Sequence, residues 1–231
     1  MATDSIPLQI KNLLLKHWSK RDSYASLEIK SPDQKLAYLI SRIFGPLPLT
    51  CLLWLITALK SGVGLQKALW VYPLIFIIVI AVPILITTYL IATKRAKDIE
   101  WSDVGDRARY LTPVVISSLI SLIALTYLLT TLTVFHLSLL LSVIILTLVL
   151  FYHSLKLKVS AHIALATLTI SSLILFFGLN YTWLFLGLIP IMWARKTLKV
   201  HTWPELAAGF LIPAAIILLA MAIFGWPNIP N

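Results

Sequence analysis

Between Val71 and Ala92, and again between Leu111 and Leu132, the chain carries no charged side chain. An α-helix rises about 1.5 Å per residue, so runs of this length reach across the roughly 30 Å of hydrocarbon in a bilayer. Further apolar segments lie at roughly 43–60, 136–155, 162–178, 181–194 and 205–225. Composition agrees with this pattern. Of 231 residues, 59% are hydrophobic and only 12% are charged, whereas a soluble domain carries about a quarter charged residues. Inside hydrocarbon every backbone polar group must be satisfied within the protein, which restricts spanning structures of this kind to helices. The expected fold is therefore an all-α polytopic membrane protein, a bundle of about six to seven transmembrane helices over residues 43–231. Pro46, Pro48, Pro73 and Pro83 fall in the first two segments, where neighbouring helices can absorb a kink. The sixth segment is short for a full span, which calls for tilt, extension by its neighbours or a thinned bilayer.

Residues 1–42 read as a basic amphipathic N-terminal arm and not as a cleavable signal, because the first long apolar run begins only near Ile43. Ile6, Ile10, Leu13, Leu14 and Trp18 recur near helical spacing, with Lys11, Lys16 and Lys20 on other faces. That pattern suits either a helix lying on an anionic membrane surface or a solvated helix capping the bundle. Cys51 is the single cysteine, which excludes an internal disulfide and a cysteine-based zinc site.

Positive charge is distributed unevenly. With seven spans, the arm and the loops at 93–110, 156–161 and 195–204 share one side. Of the 19 lysines and arginines, only Lys60 and Lys67 fall on the other. The bias remains when Arg107, Arg109, Lys158 and Arg195 are set aside as chemistry-bearing residues. The positive-inside rule places the crowded side, and with it the N-terminus, in the cytoplasm of a cell membrane. The basic balance is thus assigned to the membrane, and no nucleic-acid partner is expected.

Three polar clusters fall on that same side. Asp103, Asp106, Arg107 and Arg109 precede the third segment; Lys158, Ser160 and His162 open the fifth; Arg195, Lys196, Lys199, His201, Thr202 and Glu205 lead into the seventh. Polar groups at the ends of membrane helices mark sites. Guanidinium forks and helix N-termini bind phosphoryl oxygens, and paired imidazoles can divide nucleophilic attack from leaving-group protonation. A carboxylate beside one imidazole fixes its tautomer. His201 and Glu205 stand four residues apart and share a face wherever helix runs through both. No HExxH motif or carboxylate cluster is present, so neither a metal nor another cofactor is expected. Each residue also has a plainer use. Thr202 and Glu205, with Pro204 between them, form a capping-box pattern. Ser160 suits a helix cap, the cations suit topological anchors, and Asp103 and Asp106 suit surface pairs with Arg107 and Arg109.

The combination resembles the type 2 phosphatidic acid phosphatase superfamily over roughly residues 95–215. Its third motif runs Ser-Arg, five residues, His, three residues, Asp; here Arg195, His201 and Glu205 keep the spacing, with Ala194 before the arginine and Gly209 four residues on. Its Pro-Ser-Gly-His motif reads Val159-Ser160-Ala161-His162. Its first motif, Lys followed by Arg-Pro, is matched only by Arg109, with Tyr110 after it and Ser102 at the lysine position. The resemblance implies that His201 is a nucleophile forming a phosphohistidine, oriented by Glu205, and that His162 is the general acid. Arg195, Arg109, Lys158 and Ser160 would hold the phosphate. The substrate implied is a membrane lipid phosphate or a polyprenyl diphosphate. A noncatalytic lipid-phosphate-binding protein on the same scaffold, and a lipid phosphotransferase, are the other functions compatible with these residues.

Overall fold

The structure is a computed structural model that describes residues 29–60, 81–93 and 159–224 continuously, with short stretches between 66 and 144. Among the described residues there is no strand. The helices are α1 (Pro32–Ile43), α2 (Pro46–Lys60), α3 (Val82–Ala92), α4 (Ala161–Phe177), α5 (Leu188–Thr197) and α6 (Trp203–Phe224), with a 3-10 helix at Leu179–Gly187. The 111–132 and 136–155 segments, and the amphipathic stretch of the arm, lie largely or wholly outside these residues.

Helix α1 begins at a complete capping box. The Ser31 hydroxyl accepts the Gln34 N–H, and Gln34 Oε1 accepts the Ser31 N–H, each at 3.2 Å. Pro32, which has no N–H to leave unsatisfied, occupies the first turn with Asp33. Its buried face is made of two small residues, Ala37 and Ser41, one turn apart. Ala37 packs with Ala194 and Leu198 of α5, so the two helices lie in direct contact. Residues 32–43 thus belong structurally to the helical body, although by sequence they read as the end of the arm. Across the Phe44–Gly45 turn, Pro32–Leu53 is the one stretch among the described residues long and apolar enough to cross a membrane by length and composition. Ala161–Phe177 and Trp203–Leu219 are apolar but shorter.

Helix α4 is the core. It packs against α2, α5, α6 and the 3-10 helix, and residues around its whole circumference are buried. Such a helix needs small and self-satisfying polar residues on several faces. Ala164, Ala166, Ser171 and Ser172 supply small side chains, Thr169 returns its hydroxyl proton to the Leu165 carbonyl at 2.8 Å, and the buried Thr167 hydroxyl has no hydrogen-bond partner among the described residues. Large apolar side chains lie outside: Leu55, Trp183, Leu186, Ile189, Leu211 and Leu218 are each more than half exposed. The body therefore presents an apolar exterior around an interior rich in hydroxyls.

The short sixth segment divides into two kinds of helix. Gly178, at φ +104, ends α4 in a backbone region that residues with a side chain rarely enter. The chain then winds as 3-10 helix for nine residues before α5 begins. A 3-10 helix rises about 2.0 Å per residue, so this segment reaches further along its axis than an α-helix of equal length.

Candidate functional site

The site gathers around the first turn of α4. Ser160 occupies the N-cap position of that helix but makes no side-chain cap hydrogen bond. Its hydroxyl is fully buried, with no hydrogen-bond partner among the described residues. The sequence suggested a capping serine; the structure instead holds this hydroxyl at a helix N-terminus, beside amides that favour anions. Two residues on, His162 is buried with Nε2 3.4 Å from Arg195 Nη1.

Arg195 lies in the last turn of α5, just beyond the 181–194 apolar segment, and is only 4% exposed. Burial pulls its guanidinium down to about 9, which still leaves it cationic at neutral pH. Nη1 donates to Ser41 Oγ of α1 at 2.8 Å.

The five residues from Arg195 to His201 have a structural reason. Helix α5 closes with Lys199 N–H donating to the Lys196 carbonyl and Val200 N–H to the Arg195 carbonyl, at 2.9 and 3.3 Å. This is a Schellman termination, with Lys199 at φ +56 where glycine is usual. Val200 packs beside Ala194 and Leu198, the apolar contact that commonly accompanies such an end. The reversal brings the chain to His201, which is buried next to the start of α6.

His201 Nδ1 donates to Glu205 Oε2 at 3.0 Å. The same oxygen accepts the Thr202 N–H at 2.9 Å. Helix does not run through both residues, because α6 starts only at Trp203. The pair forms anyway, since Glu205 in the first turn reaches back as a capping residue and takes the imidazole too. The capping and the functional readings of Glu205 are thus one arrangement. With the proton on Nδ1, neutral His201 carries its lone pair on Nε2.

A backbone contact joins the two histidine groups. Ser160 N–H donates to the Glu205 carbonyl at 3.3 Å, tying the start of α4 to the start of α6. Gly209 permits this approach: a Cβ there would stand 2.9 Å from the Ser160 carbonyl oxygen and 3.1 Å from Ile163 Cβ. Neither is the end of a flexible side chain, so Gly209→Ala is expected to cost about 1–3 kcal/mol and to displace Ser160 and His162 together. A lowered thermal midpoint in detergent checks the first effect, and an altered NMR environment of the His162 ring in the folded variant checks the second.

Of the residues proposed from sequence, His162 meets Arg195, His201 pairs with Glu205, and the Ser160 backbone links the helix starts that carry the two pairs. Arg109 and Lys158 lie outside the described residues, as do Asp103, Asp106 and Arg107. Among the described residues, no group of three or more His, Cys, Asp and Glu side chains gathers to hold a metal ion. Ser41 was not legible as a site residue, although the Ser31–Gln34 capping box and the Ala37, Ser41 pair mark a helix with a small-residue face. Compared with protein-family models, curated proteins and solved structures, the chain matches none of them.

Proposed function

We propose that this chain is a polytopic integral membrane protein of six to seven spans that hydrolyses a lipid phosphate or polyprenyl diphosphate through a phosphohistidine. The observation that carries the reading is the buried His201–Glu205 pair, tied by the Ser160–Glu205 backbone bond to the cluster of His162 and Arg195. The apolar exterior and the resemblance in motif spacing support it.

In the first step His201 Nε2 attacks phosphorus, the bond from phosphorus to the lipid oxygen breaks, and His162 gives its proton to that oxygen. Glu205 stabilises the imidazolium that His201 becomes. In the second step His162 takes a proton from water, whose oxygen attacks phosphorus; the bond from phosphorus to nitrogen breaks and phosphate leaves. Arg195, the Ser160 hydroxyl and the amides opening α4 meet the charge on the equatorial oxygens, and Arg109 and Lys158 add cations to that set. The chemistry needs no metal. The charge bias supports a cytoplasmic orientation for this face.

Phosphate release from a panel of lipid phosphates and polyprenyl diphosphates by detergent-purified protein, with chelator present, tests the proposal. Release at a rate that EDTA leaves unchanged is expected. Saturable binding of a lipid phosphate without release would replace the phosphatase with the binding-protein reading. Product carrying the phosphoryl group on an added alcohol would indicate a transferase.

A further inference from the structure

Ser41 stands outside every motif discussed so far, yet it is 1% exposed and meets two of the site's cationic or protonatable groups. Its Oγ accepts Arg195 Nη1 at 2.8 Å. Its main-chain carbonyl lies 3.2 Å from His162 Nε2, and Oγ lies 3.3 Å from the same nitrogen. A carbonyl can only accept, so it is served when His162 carries a proton on Nε2, as the imidazolium form of a general acid does. Arg195 Nη1, also a donor, is 3.4 Å from that nitrogen. Two donors at that distance repel unless an acceptor lies beside both. Ser41 supplies one oxygen to each.

Local structure explains how it can. Ser41 lies in the last turn of α1, where helix carbonyls turn outward to other donors. The Gly45 N–H, which would serve the Ser41 carbonyl in a continuing helix, bonds to the Arg42 carbonyl instead. His162 Nε2 lies 3.2 Å from the Ser41 carbonyl. The C-terminal end of a helix also favours nearby cations, here Arg195 and, when protonated, His162.

We propose that Ser41 is a positioning residue of this site, contributed by the helix that precedes the motif-bearing core. Its hydroxyl aims the guanidinium of Arg195 and its carbonyl aims the ring of His162, so that a phosphoryl group meets both already fixed. The inference rests on the phosphatase reading. Ser41 touches neither phosphorus nor the leaving oxygen; it acts through Arg195 and His162. Fixing a catalytic group before substrate arrives removes a cost that would otherwise fall in the transition state.

The test is a variant series at position 41 in the full chain, with one lipid phosphate that the parent hydrolyses. Ser41→Ala keeps the carbonyl and removes only the hydroxyl. It is expected to lower kcat by about 10- to 100-fold with a smaller change in KM, because a loosened guanidinium still attracts the anion. Ser41→Thr and Ser41→Val add nearly the same volume and differ in the hydroxyl; the threonine variant is expected to be clearly the more active. In an Arg195→Lys background, Ser41→Ala is expected to add little. An active parent with an unchanged alanine variant would overturn the inference alone. So would equal threonine and valine variants, or losses that multiply fully with Arg195→Lys, since each would mark a packing role only. A parent that releases no phosphate from any lipid overturns the phosphatase reading and this inference with it.

Discussion

Replacing His201 with alanine is expected to lower phosphate release by about ten-thousand-fold or more, equivalent to about 5.4 kcal/mol of transition-state stabilisation. The size follows from the proposed role: without the imidazole no covalent intermediate would form, and the remaining cations cannot supply a nucleophile. His201→Ala also leaves Glu205 with its Thr202 N–H partner, so the start of α6 keeps its cap and the protein is expected to fold. Glu205→Gln separates orientation from attack. An amide can still accept the Thr202 N–H, but it no longer stabilises the imidazolium or reliably holds the proton on Nδ1. Its expected loss is about a hundred- to ten-thousand-fold, short of that for His201→Ala. Steady-state release beside the thermal midpoint of each variant checks both. A Glu205→Gln enzyme as active as the parent would reduce Glu205 to a helix cap.

The second large effect belongs to Arg195. Its guanidinium is buried, donates to Ser41 and lies against His162, so Arg195→Ala removes a preorganised charge and loosens two neighbours at once. A loss of about a thousand-fold in kcat/KM is expected, about 4 kcal/mol. Arg195→Lys keeps the charge but not the planar fork, so it cannot serve Ser41 and a phosphoryl oxygen together. It is expected to recover part of the loss and to remain at least about tenfold below the parent. Kinetics with a short-chain soluble lipid phosphate and with the full-length lipid check where the loss falls. Equal losses on both substrates are expected, because the proposed mechanism sets Arg195 against the head group and not the tail. A loss confined to the long-chain lipid would assign Arg195 to tail or membrane contacts instead.

Much of the site could be read from the sequence because its parts are local. Arg195, His201 and Glu205 fall within eleven residues, and the spacing reflects one Schellman end followed by one helix start. Their union with His162 was legible only as a resemblance, because the contact that makes it, Ser160 N–H to the Glu205 carbonyl, has no signature in side-chain identity. Gly209 is different. It stood at a motif-like interval, and its reason is the space that Ser160 and Ile163 leave.

Ser41 was hidden for a physical reason. Lys35 and Arg42 interrupt the apolar pattern around it, which set the arm's boundary at residue 42 in the sequence reading. Both cations lie on the exposed side of α1, while Ala37 and Ser41 face α5. No periodicity relates Ser41 to a histidine 121 residues away. The winding of the sixth segment was hidden too. Its apolar residues suit a helix of either pitch, and Gly178 before the segment and Gly187 within it are where the winding changes. The α-helical character was expected from long apolar runs read as spans, and the described residues are helical without a strand. The number of spans rests on segments such as 136–155, which lie almost entirely beyond the described residues.

The most direct measurement is rapid-quench trapping of the purified protein with a lipid phosphate labelled in its phosphoryl group. A phosphohistidine survives alkali and is lost in acid, opposite to a phosphoserine. We expect label with that stability on the peptide containing His201, formed in the presence of chelator, retained longer in slow variants such as Glu205→Gln, and absent from His201→Ala. Hydrolysis that persists in His201→Ala, or label that resists acid and maps elsewhere, would contradict a phosphatase built on His201.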